Sequence, residues 1–386
     1  MFDHCTFDRP HLLITPLLLV IDRLYPALHQ LSLPRARWII IGLHLLLLAA
    51  IGEQQGILAD KEALKYIGCA QDVLNDDLSD LTSNYLKYGA YVLFLVPFVA
   101  IGQMWLAVGV QILLGIIAAE ALARYTERAT GNVGLGRLAM ALFLLCPLIQ
   151  SWALALYTEH FFACMAIIFI ELLDRDRRIG APTIALGIIT LFARPTGMFF
   201  VVPAMLWMWR ERLPSALRPW FVPGACIALF LFAISIPRIA PAQLGPIASG
   251  QVIAGIGGSG TDGFDGQTII AAQRFLVDRV GLVEWGGITL RRAVSLFTLT
   301  RPYYSVAHNN LNAIWYVLFP LAFIGVWRSW QVSRIRLVLL VLMLNILLVA
   351  VTHDEWSGRF LVPLLPWIMV LAVSALRNSV RVVARV

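Results

Sequence analysis

The stretch GILADKEALKYIGCAQDVLND, residues 56–76, follows directly on a long apolar run and sets Asp60, Lys61, Glu62 and Lys65 within six positions. A carboxylate beside an apolar surface is suited to accept a proton from an attacking hydroxyl or amine, which is general-base chemistry. Asp60 is the first candidate base, with Glu62 as a second acid two residues on. Each also has a plainer reading. Asp60 stands where a helix N-cap would accept a backbone N–H, and Glu62 has Lys61 and Lys65 as near ion-pair partners.

Glu159, in ALYTEHFF, is a third acid set between two apolar runs. At membrane depth such an acid is costly and marks function, whereas at the surface it is an ordinary loop residue. Arg194, in LFARPTGMFF, is the most informative base, because it lies alone between apolar runs where other basic residues are absent. A planar guanidinium suits phosphate recognition; the alternative is an ion pair within the fold. Arg359, in HDEWSGRFLVP, is a similar exception, with Asp354 and Glu355 close enough in sequence to pair with it. Lys87 either binds phosphate or snorkels. His353 is a further candidate whose plain reading is structural. Glu120 and Glu171 each have an arginine four residues on, Arg124 and Arg175, and read as helix-end pairs.

The elements that must position these groups are membrane helices. Of 386 residues, 59% are hydrophobic and only 14% charged, against about 25% charged in soluble domains. The net charge of +7 is dispersed in short clusters between apolar runs, which argues for a topology signal and against nucleic-acid binding. The five cysteines show no metal-ligand spacing and no disulfide framework. Residues 11–20 lack a cleavage site and read as an interfacial helix, not a signal peptide.

Apolar runs near 38–53, 103–123, 138–156, 161–173, 179–193, 196–209, 220–237, 312–327, 337–352 and 360–376 predict about ten spans. Every second connection is arginine-rich, which sets those connections and both termini on the cytoplasmic side. Residues 85–102 keep this alternation only as a re-entrant or interfacial helix on the outer face. The expected organisation is an N-terminal segment 1–34, a transmembrane core 35–237 carrying the outer loop 54–102, a long outer loop 238–311, and C-terminal helices 312–386. GIGGSGTDGFDG, 255–266, lacks the Lys-Ser/Thr ending of a phosphate loop and reads as part of the outer loop. All the candidate groups then share the outer face.

ADKEALKY resembles the first outer-loop motif of GT-C glycosyltransferases, in the protein mannosyltransferase and aminoarabinose transferase branches. Asp60 matches the motif's acid and Tyr66 its aromatic residue; Lys61 stands where the second acid is usual, with Glu62 shifted by one. LKYGAYVLFLVPFVAIG is similar to the family's re-entrant helix, with Lys87 as the basic residue and Ile101-Gly102 as the ending, though the usual prolines are absent. LLCPLIQSWALALYTEHFF resembles the third span with its following acid, Glu159. LFARPTG resembles the Arg-Pro turn, and HDEWSGRFLVPLLPWIMVLA the late His-to-Arg segment. The resemblance covers most of 36–210 and 350–376.

It implies an all-α polytopic GT-C-like membrane enzyme that transfers a sugar from a polyprenyl-phosphate donor to a lipid, glycan or protein acceptor, generally with inversion. Asp60 would be the base, Glu159 and Glu62 would assist, and Arg194, Lys87 and Arg359 would hold the donor phosphate. The prenyl chain would enter near 85–102. Some branches hold a divalent ion such as Mg²⁺ or Mn²⁺ at the acidic pair and others hold none. The style of the sequence points to a bacterial inner membrane with the site on the periplasmic side. Competing readings are a lipid-linked glycan transporter or flippase, a polysaccharide polymerase or ligase of another fold using Arg291-Arg292, and a structural membrane subunit.

Overall fold

The computed structural model describes residues 30–176, 179–210, 213–236, 241–258, 260–355 and 358–377. The expected interfacial helix at 11–20 lies outside them. Among the described residues the chain is helical, with isolated β-bridges and no strands.

Four helices are long and apolar enough to cross a membrane, or up to five if a bent pair counts as one. They are α1 (Pro34–Gln55), α4 (Met104–Thr130), the continuous stretch Val306–Ser329, and α14 (Ser333–Val351). The stretch Val306–Ser329 comprises α12 (Val306–Ala313), a 3₁₀ turn and α13 (Leu318–Ser329). The bent pair is α5 (Val133–Leu144) with Pro147–Leu154, turned by 54°. Pro147 is the cause: it holds the preceding Cys146 in extended backbone and so stops α5.

Other predicted spans are shorter helices. They include α7 (Ala181–Ala193), α8 (Met198–Trp209) and α15 (Leu365–Ser374), while α9 (Arg218–Ser235) covers the run 220–237 and α3 (Gly89–Ala100) is the helix of the segment expected to re-enter. At 1.5 Å per residue, ten to thirteen residues reach roughly 15–20 Å, short of the ~30 Å hydrocarbon core. The expected loop 238–311 is largely helical, as α10 (Pro241–Ala248) and α11 (Ile269–Ser295), with a kink at Gly281.

The core forms around α4, α5 and α15. Every residue of α15 is buried, as an all-round apolar helix requires. On α4 the small residues Ala107, Gly115, Ala118, Ala119 and Ala121 are buried, which lets neighbouring backbones approach. The amphipathic helix expected after residue 60 is α2 (Glu62–Leu74). The acid expected before the fourth span opens α6 (Thr158–Asp176).

The two ends of α6 carry different chemistry. At its C-terminal end Glu171 pairs with Arg124 and Arg128, and Asp174 with Arg128 and Arg334. Nearby Glu120 pairs with Arg37 and Arg137. The acids Glu120 and Glu171 are therefore structural, but their partners lie mostly on other helices. The expected i,i+4 partners are not used, and Arg175 pairs with Asp176 instead. Glu159 lies at the other end of α6, twelve residues and roughly 18 Å away along the axis.

Candidate functional site

Glu159 sits in the first turn of α6, fully buried. Two cations converge on its Oε1: Arg194 Nη1 at 2.8 Å, and Arg359 Nε. Arg359 also reaches Glu62 Oε2 through Nη2, at 2.6 Å. Parts of the chain almost 300 positions apart thus meet in one alternating set of two acids and two bases.

Local sequence explains how each member is held. Pro195 disfavours a helical Arg194, and Arg194 is extended, which ends α7. Gly197 closes the turn, with its N–H donating to the Arg194 carbonyl at 2.9 Å. A Cβ on Gly197 would come within 2.3 Å of the Thr190 carbonyl oxygen, so the turn requires glycine. The turn leaves Arg194 nearly buried beside Glu159, with its guanidinium 5.8 Å from the Phe360 ring centre. Arg359 lies 5.4 Å from the Tyr157 ring and 5.8 Å from the Trp152 ring.

Asp60 reaches the cluster through a backbone bridge. Gly56, at φ 65°, turns the chain out of α1. Leu58 then pairs with the 154–156 segment: its N–H donates to Leu154, and Leu156 N–H donates to Leu58. Two residues on, the Tyr157 hydroxyl donates to Asp60, 3.2 Å from both its Oδ1 and its carbonyl oxygen. Burial first, then the Asp60 carboxylate, push the Tyr157 hydroxyl up to about 12, so it stays a proton donor. Asp60 is exposed. It is not the N-cap of α2: that position is Lys61, and no side chain caps the helix. Lys61 has φ 47°, a conformation costing a non-glycine residue about 1–3 kcal/mol. This strained link turns Asp60 toward Tyr157 and Glu62 toward Arg359.

Tyr66, Lys87 and His353 are the remaining candidates. Tyr66 is buried against Tyr85, Tyr88 and Tyr91. Its hydroxyl is raised by burial and then by Tyr88, Glu159 and Glu62, which makes it a wall residue and not a base. Lys87 lies over the Tyr88 ring at 5.7 Å and forms no ion pair with a carboxylate among the described residues. His353 packs at 6.3 Å from Phe360, with Nδ1 3.3 Å from the Asp354 carbonyl oxygen. Burial lowers its pKa and favours the neutral ring.

Two assignments change. Arg359 does not pair with Asp354 or Glu355; Asp354 is fully buried and bound to Arg301 at 2.6 Å. Glu62 takes Arg359, not Lys61 or Lys65. Glu159 is fully buried, and both of its arginines meet the one oxygen Oε1.

Burial opposes the Arg359 charge, but Glu159 and Glu62 outweigh it and hold its pKa above the ordinary value. The acidic pair is engaged by Tyr157 and Arg359, and no group of three His, Cys, Asp or Glu among the described residues is arranged to hold a metal.

Sequence reasoning missed Tyr157, Trp152 and Phe360, and treated Glu355 only as a partner for Arg359. Glu355 carries a carboxylate raised by burial, with Arg359 opposing and Glu62 adding to the shift. Only the aromatic neighbours of the named acids and bases hinted at the first three. Elsewhere, Gln111 bonds the carbonyls of Ala153 and Ala155 and accepts from the Tyr91 hydroxyl, which fixes the turn leading to Tyr157. Asn345 bonds within its own helix. Arg292 is buried on the carbonyls of Ile247 and Gln251, so the Arg291-Arg292 pair is split between structure and surface.

No family model, curated protein or solved structure matches the chain.

Proposed function

We propose that the protein is a membrane glycosyltransferase of GT-C type, moving a sugar from a polyprenyl-phosphate donor to an acceptor on the outer, periplasmic face of a bacterial inner membrane. One observation carries the reading. Asp60, Glu62, Glu159, Arg194 and Arg359, singled out separately by sequence, gather at one end of α6, opposite the arginine-rich end. With the shorter apolar helices counted in the bundle, this reading has about ten membrane segments. It takes 85–102 as re-entrant, in keeping with the short length of α3.

In the proposed reaction Asp60 takes the proton of the acceptor hydroxyl, whose oxygen attacks the anomeric carbon. The bond from that carbon to the phosphate oxygen breaks, and the phosphate leaves with the electron pair. Tyr157 orients Asp60. Arg359 and Lys87 stabilise the departing phosphate, the kind of electrostatic contribution that is usually large. Glu62 is the more exposed partner of Arg359, at 38% against none for Glu159, so the phosphate displaces Glu62 and leaves Glu159 in place. Arg194 acts indirectly, by holding Glu159.

The test is incubation of the purified protein in nanodiscs with a panel of polyprenyl-phosphate sugars, following release of free polyprenyl phosphate. Release from one donor supports the reading. Movement of an intact lipid-linked sugar across proteoliposomes without release would favour the flippase.

A further inference from the structure

Arg194 also lines a small cavity of about 20 Å³, above the ~10–15 Å³ that a single water-sized particle needs. Three parts of the chain meet there: Arg194 and Thr196 of the turn between α7 and α8, Asn345 and Thr352 from α14 and its C-terminal end, and Phe360 of the segment that carries Arg359. The rest of the lining is apolar, and no carboxylate takes part.

Two buried polar atoms of these residues have no hydrogen-bond partner among the described residues, Arg194 Nε and Thr196 Oγ1. Both can donate. Leaving a buried donor unpaired is unfavourable, most of all on a charged group. Asn345 is buried as well; its Nδ2 gives one hydrogen to the Val341 carbonyl and keeps a second. The Thr352 hydroxyl donates to Leu348.

The charge balance around Arg194 points to what these donors hold. Arg194 touches one carboxylate among the described residues, Glu159, through Nη1, and Glu159 gives the same Oε1 to Arg359. Glu62 reaches only Arg359 and is 38% exposed. Arg194, 6% exposed, therefore has a share of one carboxylate and nothing more. A buried charge without full compensation is destabilising. Water would satisfy the donors but bring no charge. A monatomic anion would do both, and the cavity is too small for a tetrahedral oxyanion.

We propose that this cavity is a chloride site, with the ion bound by Arg194 Nε and the Thr196 hydroxyl beside the Asn345 amide. The ion would complete the neutralisation of Arg194 and hold it against Glu159. The inference does not depend on the transferase reading.

Thermal unfolding of the full chain in nanodiscs, titrated with sodium chloride against sodium gluconate at constant ionic strength, tests it. A ligand of the folded state raises Tm by mass action, so Tm is expected to rise saturably with chloride and with bromide, and not with gluconate. Thr196→Val keeps the shape and removes one donor. Its half-effect chloride concentration is expected to rise about tenfold, as loss of a hydrogen bond to an ion implies. Thr190→Val is the control, because that hydroxyl bonds the Leu186 carbonyl and lies outside the cavity lining; its half-effect concentration should match wild type. The comparison is made within each variant's own titration, so a uniform loss of stability does not imitate weaker binding. Equal Tm in chloride and gluconate overturns the proposal and leaves water as the occupant. A chloride effect unchanged in Thr196→Val puts the ion elsewhere and overturns it too.

Discussion

Glu159→Gln isolates the contact on which the site depends. The carboxylate is fully buried and neutralises two guanidiniums, one at 2.8 Å. Gln keeps the shape and removes the charge, leaving the buried Arg194 and the half-buried Arg359 side by side with only Glu62 to offset them. Breaking a buried pair by removing one partner costs about 3–5 kcal/mol. At about 2–4 °C per kcal/mol for chains of 150–250 residues, and less for longer ones, this lowers Tm by about 5–15 °C. The assay is thermal unfolding of purified wild type and variant in the same nanodiscs. The double variant Glu159→Gln with Arg194→Met should recover part of the loss, because the second substitution removes the stranded charge. A Tm within 2 °C of wild type for the single variant would refute the claim that Glu159 anchors the arginines.

Three further outcomes follow from the same geometry. Tyr157→Phe keeps the ring against Arg359 and loses the hydrogen bond to Asp60, so turnover should fall about fivefold for a bond of about 1 kcal/mol, with Tm little changed. Glu62→Gln frees one arm of Arg359, so polyprenyl phosphate should bind more tightly; weaker binding would contradict the displacement step. Glu355 has its folded pKa raised by burial, so the folded state binds more protons and stability falls as pH rises from the ordinary carboxylate value through the raised one. Glu355→Gln should therefore be more stable than wild type at pH 7 and equal to it near pH 4, as read from Tm against pH.

Much of the site was legible because its residues break local rules. Arg194 stands apart from the basic clusters, Glu159 interrupts apolar sequence, and Asp60 follows a span. Their partners were not legible. Sequence offers only near neighbours, and so assigned Arg359 to Asp354 and Glu355, Glu120 to Arg124, and Glu171 to Arg175. Helix packing chose otherwise, because buried charges pair with whatever opposite charge the bundle brings within reach. Asp60 looked like a cap, yet the strained Lys61 shifts the helix start by one residue and frees the carboxylate. Periodicity found α2. It did not find α11, whose apolar residues are interrupted by charges and by Gly281, Gly286 and Gly287, all of which weaken a helical reading. Apolar runs marked where the short helices α7, α8 and α15 lie, but a run of sequence does not fix how much of it is helix. Pro147 and Pro195 cut such runs into shorter pieces.

The most direct test of the account compares donor cleavage by Asp60→Asn and Glu120→Gln with wild type, in nanodiscs supplied with a matched polyprenyl-phosphate sugar and acceptor. Asp60 is exposed near the Glu159 end of α6, whereas Glu120 is bonded to Arg37 and Arg137 near the other. Loss of a general base costs about 10²–10⁴-fold. The account predicts that Asp60→Asn releases polyprenyl phosphate at least a hundredfold more slowly while still binding the donor, and that folded Glu120→Gln keeps its rate. Wild-type release by Asp60→Asn would contradict it.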